Sequence, residues 1–290
     1  MNQFNELFSS SSPLRDKFYK LFQSKAALDP RIIGNNNVIN YSQIRMGSDS
    51  IYSCEQPVHV NQWINLLRDI LFYHDTEEEQ KQQKEKQIEE EEDEKKQQKK
   101  TEQEKKKQER ELKIEAEIKT KTNNRCFKFI DGTANVGGWS LNIAMNFPNA
   151  LITSLECNSV TYSLLQSNIT HLKLQKQIKS LQRDCISYLN SLQSLNSNLV
   201  DILCIDPPWG DSYSKNDKRF ELKLNDRPVG EYLELFTSIA FHFLLKVPLN
   251  FDADISAIDF NQFPPTDIFT FYNIFHQPCY YIWYWKKKKV

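Results

Sequence analysis

The chain has 290 residues, 39% of them hydrophobic and 12% aromatic, which is enough to bury one large core or two small ones. Its 37 Lys and Arg against 38 Asp and Glu leave a net charge of −1, so no global basic field draws nucleic acid, and any RNA site must be a local patch. No early apolar stretch resembles a signal peptide, and none approaches the ~18 apolar residues of a membrane helix; a soluble, non-secreted protein without membrane contact is expected. The six cysteines (Cys54, Cys126, Cys157, Cys185, Cys204 and Cys279) contain no C-x-x-C pair and are expected as reduced core thiols, with no metal site.

Residues 1–12 are rich in Ser and Asn and are expected to fray. Residues 13–75 read as a small helical extension. Leu14, Phe18, Leu21 and Phe22 recur at helical spacing, with Lys17 and Lys20 on the remaining surface. A turn cluster, Gly34-Asn35-Asn36-Asn37, follows, and Pro57 opens a second helix through Trp63, Leu66, Leu67 and Ile70 to Phe72. Composition then changes abruptly. Residues 76–122 are mostly Glu, Lys and Gln, with Ile88 the only aliphatic residue between Glu77 and Arg110. Glu–Lys pairs at i,i+4 can support helix there, but no a/d seam exists for a coiled coil. This low-complexity stretch reads as a solvated insertion that could bind a protein partner.

From residue 123 onward the pattern alternates as βαβ units do. Strands are expected at Phe127–Ile130, Leu151–Leu155, Ile178–Gln182, Leu199–Ile205 and Phe241–Val247. Helices are expected at Ser140–Phe147, Ser159–Leu172, Cys185–Leu192 and Glu231–Ala240. Ile268–Ile274 and Tyr280–Trp285 read as a closing antiparallel pair, and a basic tail of Lys286 to Lys289 ends the chain. The class is α/β, a mostly parallel sheet with helices on both faces.

The fourth strand ends in Asp206-Pro207-Pro208-Trp209-Gly210. Two prolines stop the ladder and leave a rigid loop at the carboxyl edge of the sheet, where open α/β sheets bind ligands. A carboxylate, proline carbonyls and an indole suit a planar base with an exocyclic amine. Asp131 to Gly138 (Asp-Gly-Thr-Ala-Asn-Val-Gly-Gly) follows the first strand and opens the first helix, with small residues where backbone approaches a ligand and Asn135 suited to positive φ. Glu156 ends the second strand, where an acid can take ribose hydroxyls. Asp184 follows the third, placed either to accept from an adenine amine or to cap the next helix. Four acids at four successive strand ends fit S-adenosylmethionine better than NAD, because the fourth strand delivers a loop suited to a target amine.

These stretches resemble the trimethylguanosine synthases, the RNA cap guanine-N2 methyltransferases. The likeness lies in Asp131 to Gly138, in Asp206 to Gly210 with Tyr213 after it, and in Phe243-Leu-Leu-Lys-Val-Pro-Leu-Asn250 with Asp252 and Asp254 beyond. Upstream, Ser50 to Ser53 looks like the family's aromatic-Ser segment, and Tyr19-Leu21-Phe22 like its N-terminal helix. Four departures stand out. Asn135 replaces a frequent Gly, Asp211 a second Gly, and Leu249-Asn250 an Arg-Asn, so that Lys246 is expected to replace a phosphate-binding arginine. The 76–122 insertion is also foreign.

The resemblance implies a Rossmann-like class I S-adenosylmethionine-dependent methyltransferase with a seven-stranded sheet over residues 123–290. It implies transfer of a methyl group to N2 of the 7-methylguanosine cap of RNA (small nuclear or nucleolar RNA, or mRNA) by a nuclear or cytoplasmic monomer. Asp206, Pro207 and Trp209 are the expected catalytic residues. Ser53, Asp131, Thr133, Asn135, Gly137, Gly138, Glu156, Asp184 and Asp206 are expected at the cofactor. Trp209, Tyr213, Lys246, Asn250, Lys17 and Lys20 are expected at the capped substrate. Two other readings fit the same residues: an amine methyltransferase acting on guanine-N2 or adenine-N6 of other RNA or DNA, and a catalytically silent subunit that keeps the fold for protein binding.

Overall fold

The computed structural model describes residues 57–73, 126–194, 200–210, 213, 218–259, 261–273 and 275–287. The helix expected at 13–23, the segment with Ser53, the cations Lys17 and Lys20, and the 76–122 insertion lie outside the described residues. The chain divides into two compact units, Met1–Gln62 with Cys126–Val290, and Trp63–Arg125.

Helix α1 (Pro57–Arg68) runs across that division and continues as a π-helical turn, Asp69–Tyr73. Pro57 fits the first helical position because its missing N–H has no intrahelical partner there. In the second unit Trp63, Ile64, Leu67 and Leu71 are buried at a spacing that puts them on one helical face.

The first unit is built on a seven-stranded sheet of order β3-β2-β1-β4-β7-β9-β8. Its strands are β1 (Phe127–Asp131), β2 (Ala150–Glu156), β3 (Ile178–Gln182), β4 (Val200–Ile205), β7 (Ala240–Pro248), β8 (Asp267–Tyr272) and β9 (Pro278–Lys286). The crossover helices are α2 (Gly138–Asn146), α3 (Ser159–His171), α4 (Cys185–Ser194) and α5 (Leu233–Ile239). The first five of these strands are parallel, and β9 inserts antiparallel between β7 and β8. This is the mostly parallel sheet that the alternation implied and the Rossmann-like class I arrangement that the resemblance implied. Ile202 to Ile205 are all buried, as expected of a parallel strand covered on both faces. Against that strand α5 places Leu233 and Phe236, and α4 places Leu189, all fully buried. Each such side chain contributes roughly 1.5–3 kcal/mol of transfer free energy, far more than the helices' own propensities supply.

Chain progression reverses between β1 and β4: β1 leads outward to β2 and β3, β4 leads the other way to β7. Asp131 at the end of β1 stands in register with Cys204 of β4. The loops that follow these two strands therefore open side by side at the topological switch point, where such sheets bind ligands.

Most expected elements are present with ends displaced by a residue or two, since caps rather than periodicity set the boundaries. Asn158 caps α3, accepting from the amides of Val160 and Thr161, so the helix starts at Ser159. A two-residue hairpin, β5 (Lys223–Leu224) with β6 (Arg227–Pro228), lies where no strand was expected; its turn residues Asn225 and Asp226 both have positive φ. The cysteines correct the expectation of core thiols. Among the described cysteines Cys185 and Cys204 are buried, Cys126 and Cys157 are exposed and Cys279 is half-buried, and none of the five is in a disulfide.

Candidate active site

The loop after β1 is held by three hydrogen bonds, one to β4 and two to the end of β2. Gly132 N–H donates to the Cys204 carbonyl at 2.9 Å, and Ala134 N–H to the Leu155 carbonyl at 2.8 Å. Asn135 N–H donates to Glu156 Oε2 at 3.0 Å. A Cβ at Gly132 would stand 2.3 Å from Ile205 Cδ1, so a side chain there requires the Ile205 side chain to move. Asn135 (φ 49°) and Gly137 (φ 103°) take the left-handed conformations that turn the chain into α2. Gly138 is the first residue of that helix.

Asp131 is buried at the base of this loop. Its Oδ2 accepts from Ser140 N–H at 3.2 Å and from Ser140 Oγ at 2.6 Å, and Ser154 Oγ donates in turn to Ser140 Oγ at 2.7 Å. Burial pushes the Asp131 carboxyl up to about 6; bonds from Ser140 and the Thr133 amide oppose the rise, and the nearby Asp206 charge adds to it.

Glu156 is half-buried at the end of β2. Its second oxygen, Oε1, accepts from Asn158 N–H at 2.8 Å. Asp184 behaves as the capping reading expects: Oδ1 accepts from Ser187 N–H at 2.8 Å and Oδ2 from Asn225 Nδ2 at 2.7 Å. Burial opposes ionisation there, but these bonds together hold its carboxyl below the usual range. Nothing in the sequence before residue 225 signals the Asn225 contact, because it comes from the unexpected β5–β6 hairpin.

The Asp206 loop closes the site from the β4 side. Asp206 N–H donates to Thr133 Oγ1 at 2.8 Å, and Asp206 Oδ2 pairs with Lys246 Nζ at 3.0 Å. Pro207 is buried, and Gly210 turns the chain at φ 76°. Trp209 leans on Tyr213 with ring centroids 4.9 Å apart, and Tyr213 meets Phe220 edge-on at 5.0 Å. The three rings make an aromatic ladder running away from Asp206.

Among the expected substrate residues, Lys246 sits differently from the expectation. It is not an open phosphate ligand; it is buried on β7, paired with Asp206. Asn250 lies past the end of β7, where its carbonyl accepts from Phe220 N–H at 2.8 Å and so ties the ladder's last ring to that loop. The sequence reading missed Arg219, a half-exposed guanidinium beside Phe220 that pairs with Asp252 and approaches Asp254 at 3.9 Å. The available signal was its position one residue before an aromatic, in the segment after Tyr213.

The groups present suit a nucleoside carrying a sulfonium. Asn135 Oδ1 is buried beside the Glu156 contact and has no hydrogen-bond partner in the protein, an acceptor that a ligand donor can satisfy. Two strand-end carboxylates, Glu156 and Asp206, offer further acceptors, and the Asp131–Asp206 pair offers negative charge for a cation. Among the described residues no cluster of His, Cys, Asp or Glu could hold a metal ion, and no helix is long and apolar enough to cross a membrane.

Residues 126–262 match the family described as RNA cap guanine-N2 methyltransferase. No curated protein matches the chain. Among solved structures, human methyltransferase-like protein 13 in complex with SAH aligns at 14% identity over 58% of this chain and 75% of that one, with a TM-score of 0.43. The N-terminal domain of human METTL16 aligns at 14% identity over 56% and 62%, with a TM-score of 0.42. The SAM-dependent methyltransferase from Agrobacterium tumefaciens aligns at 18% identity with a TM-score of 0.36; the match covers 45% of this chain and 42% of that enzyme. Scores this low carry no functional argument. The family match is a different matter, since it spans the β1 loop, the Asp206 loop and β7 together: residues 126–262 match the RNA cap guanine-N2 methyltransferase family, and this part of the chain is an S-adenosylmethionine-dependent methyltransferase domain.

Proposed function

We propose that the enzyme methylates N2 of a 7-methylguanosine RNA cap. The observation that carries this reading is the Trp209–Tyr213–Phe220 ladder standing three residues from Asp206. A stacking face next to an acceptor carboxylate at the switch point is what a flat base with an exocyclic amine requires. S-adenosylmethionine, when bound, supplies an electrophilic methyl group on a sulfonium.

The protein's part is placement and charge. An aromatic amine is a weak nucleophile, so rate comes from orientation and from a field suited to the developing positive charge. Asp206 and the Pro207 carbonyl accept the two amine hydrogens and thereby fix where the nitrogen lone pair points. As the amine becomes cationic, the Asp206 carboxylate stabilises it most late in the reaction. Trp209 stacks on the base; a 7-methylated guanine is cationic, and a cation over an indole gains roughly 0.5–2 kcal/mol. Arg219, beside the last ring of the ladder, is the described cation best placed for the cap phosphates, and Lys17 and Lys20 remain candidates for the same role. Cap hypermethylation favours a nuclear site of action.

Purified full-length protein, labelled S-adenosylmethionine and a panel of 7-methylated cap analogue, unmethylated cap analogue, uncapped RNA and DNA test the reading. Transfer confined to the 7-methylated cap supports it. Transfer to uncapped RNA or DNA in preference would move the enzyme to the wider class of amine methyltransferases.

A further inference from the structure

Lys246 is an anomaly of its strand. It lies between Leu245 and Val247, both fully buried, and is itself only 8% exposed. A lysine taken out of water tends to lose its proton unless the site supplies compensation. Here the compensation has three parts: the Asp206 carboxylate at 3.0 Å, the Tyr280 ring with its centroid 4.5 Å from Nζ, and the Trp139 ring at 5.8 Å. The two rings come from different elements, α2 and β9, so the ammonium is held by side chains from a helix and from the neighbouring strand.

The need for that cation follows from the other acid. The Asp206 charge adds to the rise of the buried Asp131 carboxyl, so two acids share this end of the sheet. Without a compensating charge, the carboxylate that must receive the target amine competes with a buried neighbour. The titratable groups at this cluster include Asp131 from β1, Cys204 from β4 and Tyr280 from β9, with His59 of α1 edge-on to Tyr280 at 5.0 Å. Lys246 is the cation of the set.

We infer that Lys246 is a positioning residue for the reaction: clasped by Trp139 and Tyr280, its ammonium keeps Asp206 ionised and fixes the direction in which that carboxylate meets the amine. The inference rests on the reading of Asp206 as the amine acceptor. It also accounts for Lys246 standing in the site while being too buried to hold a cap phosphate.

The test uses the full chain as wild type, Lys246→Met and Lys246→Arg. Carboxyl carbons are followed by NMR against pH without ligand, with Asp206 assigned through Asp206→Asn. In parallel, kcat/KM on the 7-methylated cap analogue is measured against pH, and S-adenosylmethionine binding by calorimetry. Removing the cation should raise the Asp206 midpoint by about one pH unit or more, and the acidic limb of kcat/KM should move up with it. The kcat value should fall roughly tenfold to a hundredfold, as for other losses of a placed charge, while cofactor affinity changes less than about threefold. Lys246→Arg should restore most of the loss. Should Lys246→Met not fold, Lys246→Gln carries the same comparison. An unmoved midpoint overturns the inference, as does a moved midpoint with intact kcat. Wild type that ignores every cap analogue would overturn the cap reading instead, and the NMR titration would still decide the ion pair.

Discussion

The backbone amide of Asp206 donates to Thr133 Oγ1 across 2.8 Å, so the loop after β4 hangs from the loop after β1. A second bond, Gly132 N–H to the Cys204 carbonyl, ties the loop after β1 to the end of β4 itself, one step deeper. The cofactor loop and the acceptor loop are thus one mechanical piece, and a residue assigned to the first also sets the aim of the second.

Thr133→Val keeps the shape and removes the acceptor. An amide left unpaired in a half-buried place costs roughly 1–3 kcal/mol. We expect kcat to fall by about tenfold or more, since Asp206 loses its reference point, with cofactor affinity reduced less; Thr133→Ser should stay near wild type. Steady-state kinetics and calorimetry on the three proteins decide this. Wild-type kinetics in the valine variant would mean that the Gly132–Cys204 bond alone aligns the loops.

Glu156 spends both oxygens on backbone amides, one from Asn135 and one from Asn158. Each carboxylate oxygen can accept a further bond beyond the amide it holds, which ribose hydroxyls can supply. Glu156→Ala should weaken S-adenosylmethionine by the worth of one or two charge-assisted bonds, ~1.5–3 kcal/mol each. Glu156→Gln should fall between, because the amide keeps one acceptor but turns a donor toward a backbone N–H. Affinity by calorimetry is read beside thermal unfolding. A folded alanine variant with unchanged affinity would remove Glu156 from the cofactor site.

Asp131 predicts a pH dependence of stability. Burial raises its folded pKa to about 6, above the ordinary 3.8. Between these values the unfolded chain releases the proton before the folded one does, so this residue makes the protein less stable as pH rises from about 4 to 6. At about 1.4 kcal/mol per pH unit the contribution reaches roughly 3 kcal/mol. Denaturant titrations of wild type and Asp131→Asn across pH 4 to 7 should show the difference between them changing over that window and levelling above it. A constant difference would mean that Asp131 stays ionised throughout.

The legible part of this chain is the part written in runs. β4 announces itself because Val200 to Ile205 are apolar save Asp201 and end at two prolines. Asp131, Glu156 and Asp206 could be placed at strand ends because each closes or directly follows a largely apolar run, and Asp184 because it stands just before the apolar residues of the next helix. What could not be read is contact across strands. Lys246 in Leu-Leu-Lys-Val-Pro looks like a residue that escapes to solvent. Its partner Asp206 lies 40 residues earlier, and its aromatic clasp is made by Trp139 and Tyr280 from two further elements. The β5–β6 hairpin escaped notice because two-residue strands have no periodicity, although Asn225-Asp226 is a good turn pair. Asp184 could be read both ways from sequence, and the Ser187 amide is where its capping role becomes visible.

Trp209 is where the cap reading is most exposed. Its ring leans on Tyr213, and its Nε1 is buried without a hydrogen-bond partner in the protein. A buried indole N–H that stays unpaired costs stability, so the ring's place is not explained by its own hydrogen bonding. If the indole stacks on a cationic 7-methylguanine, Trp209→Ala should lower kcat/KM by roughly tenfold to a hundredfold and leave S-adenosylmethionine binding nearly unchanged. Trp209→Phe should retain part of the activity, because a smaller π face remains. Stacking contributes about 1–3 kcal/mol per base in nucleic-acid sites, which is large enough to read in kcat/KM. The sharper measure is a ratio. Wild type should prefer the 7-methylated cap over the unmethylated one, and the phenylalanine variant should prefer it less, since cation–π attraction is strongest at Trp. Tyr213→Ala should lower the same ratio by loosening the ring that Trp209 rests on. Equal turnover of the two caps by wild type would sink the cap assignment and leave the methyltransferase one standing.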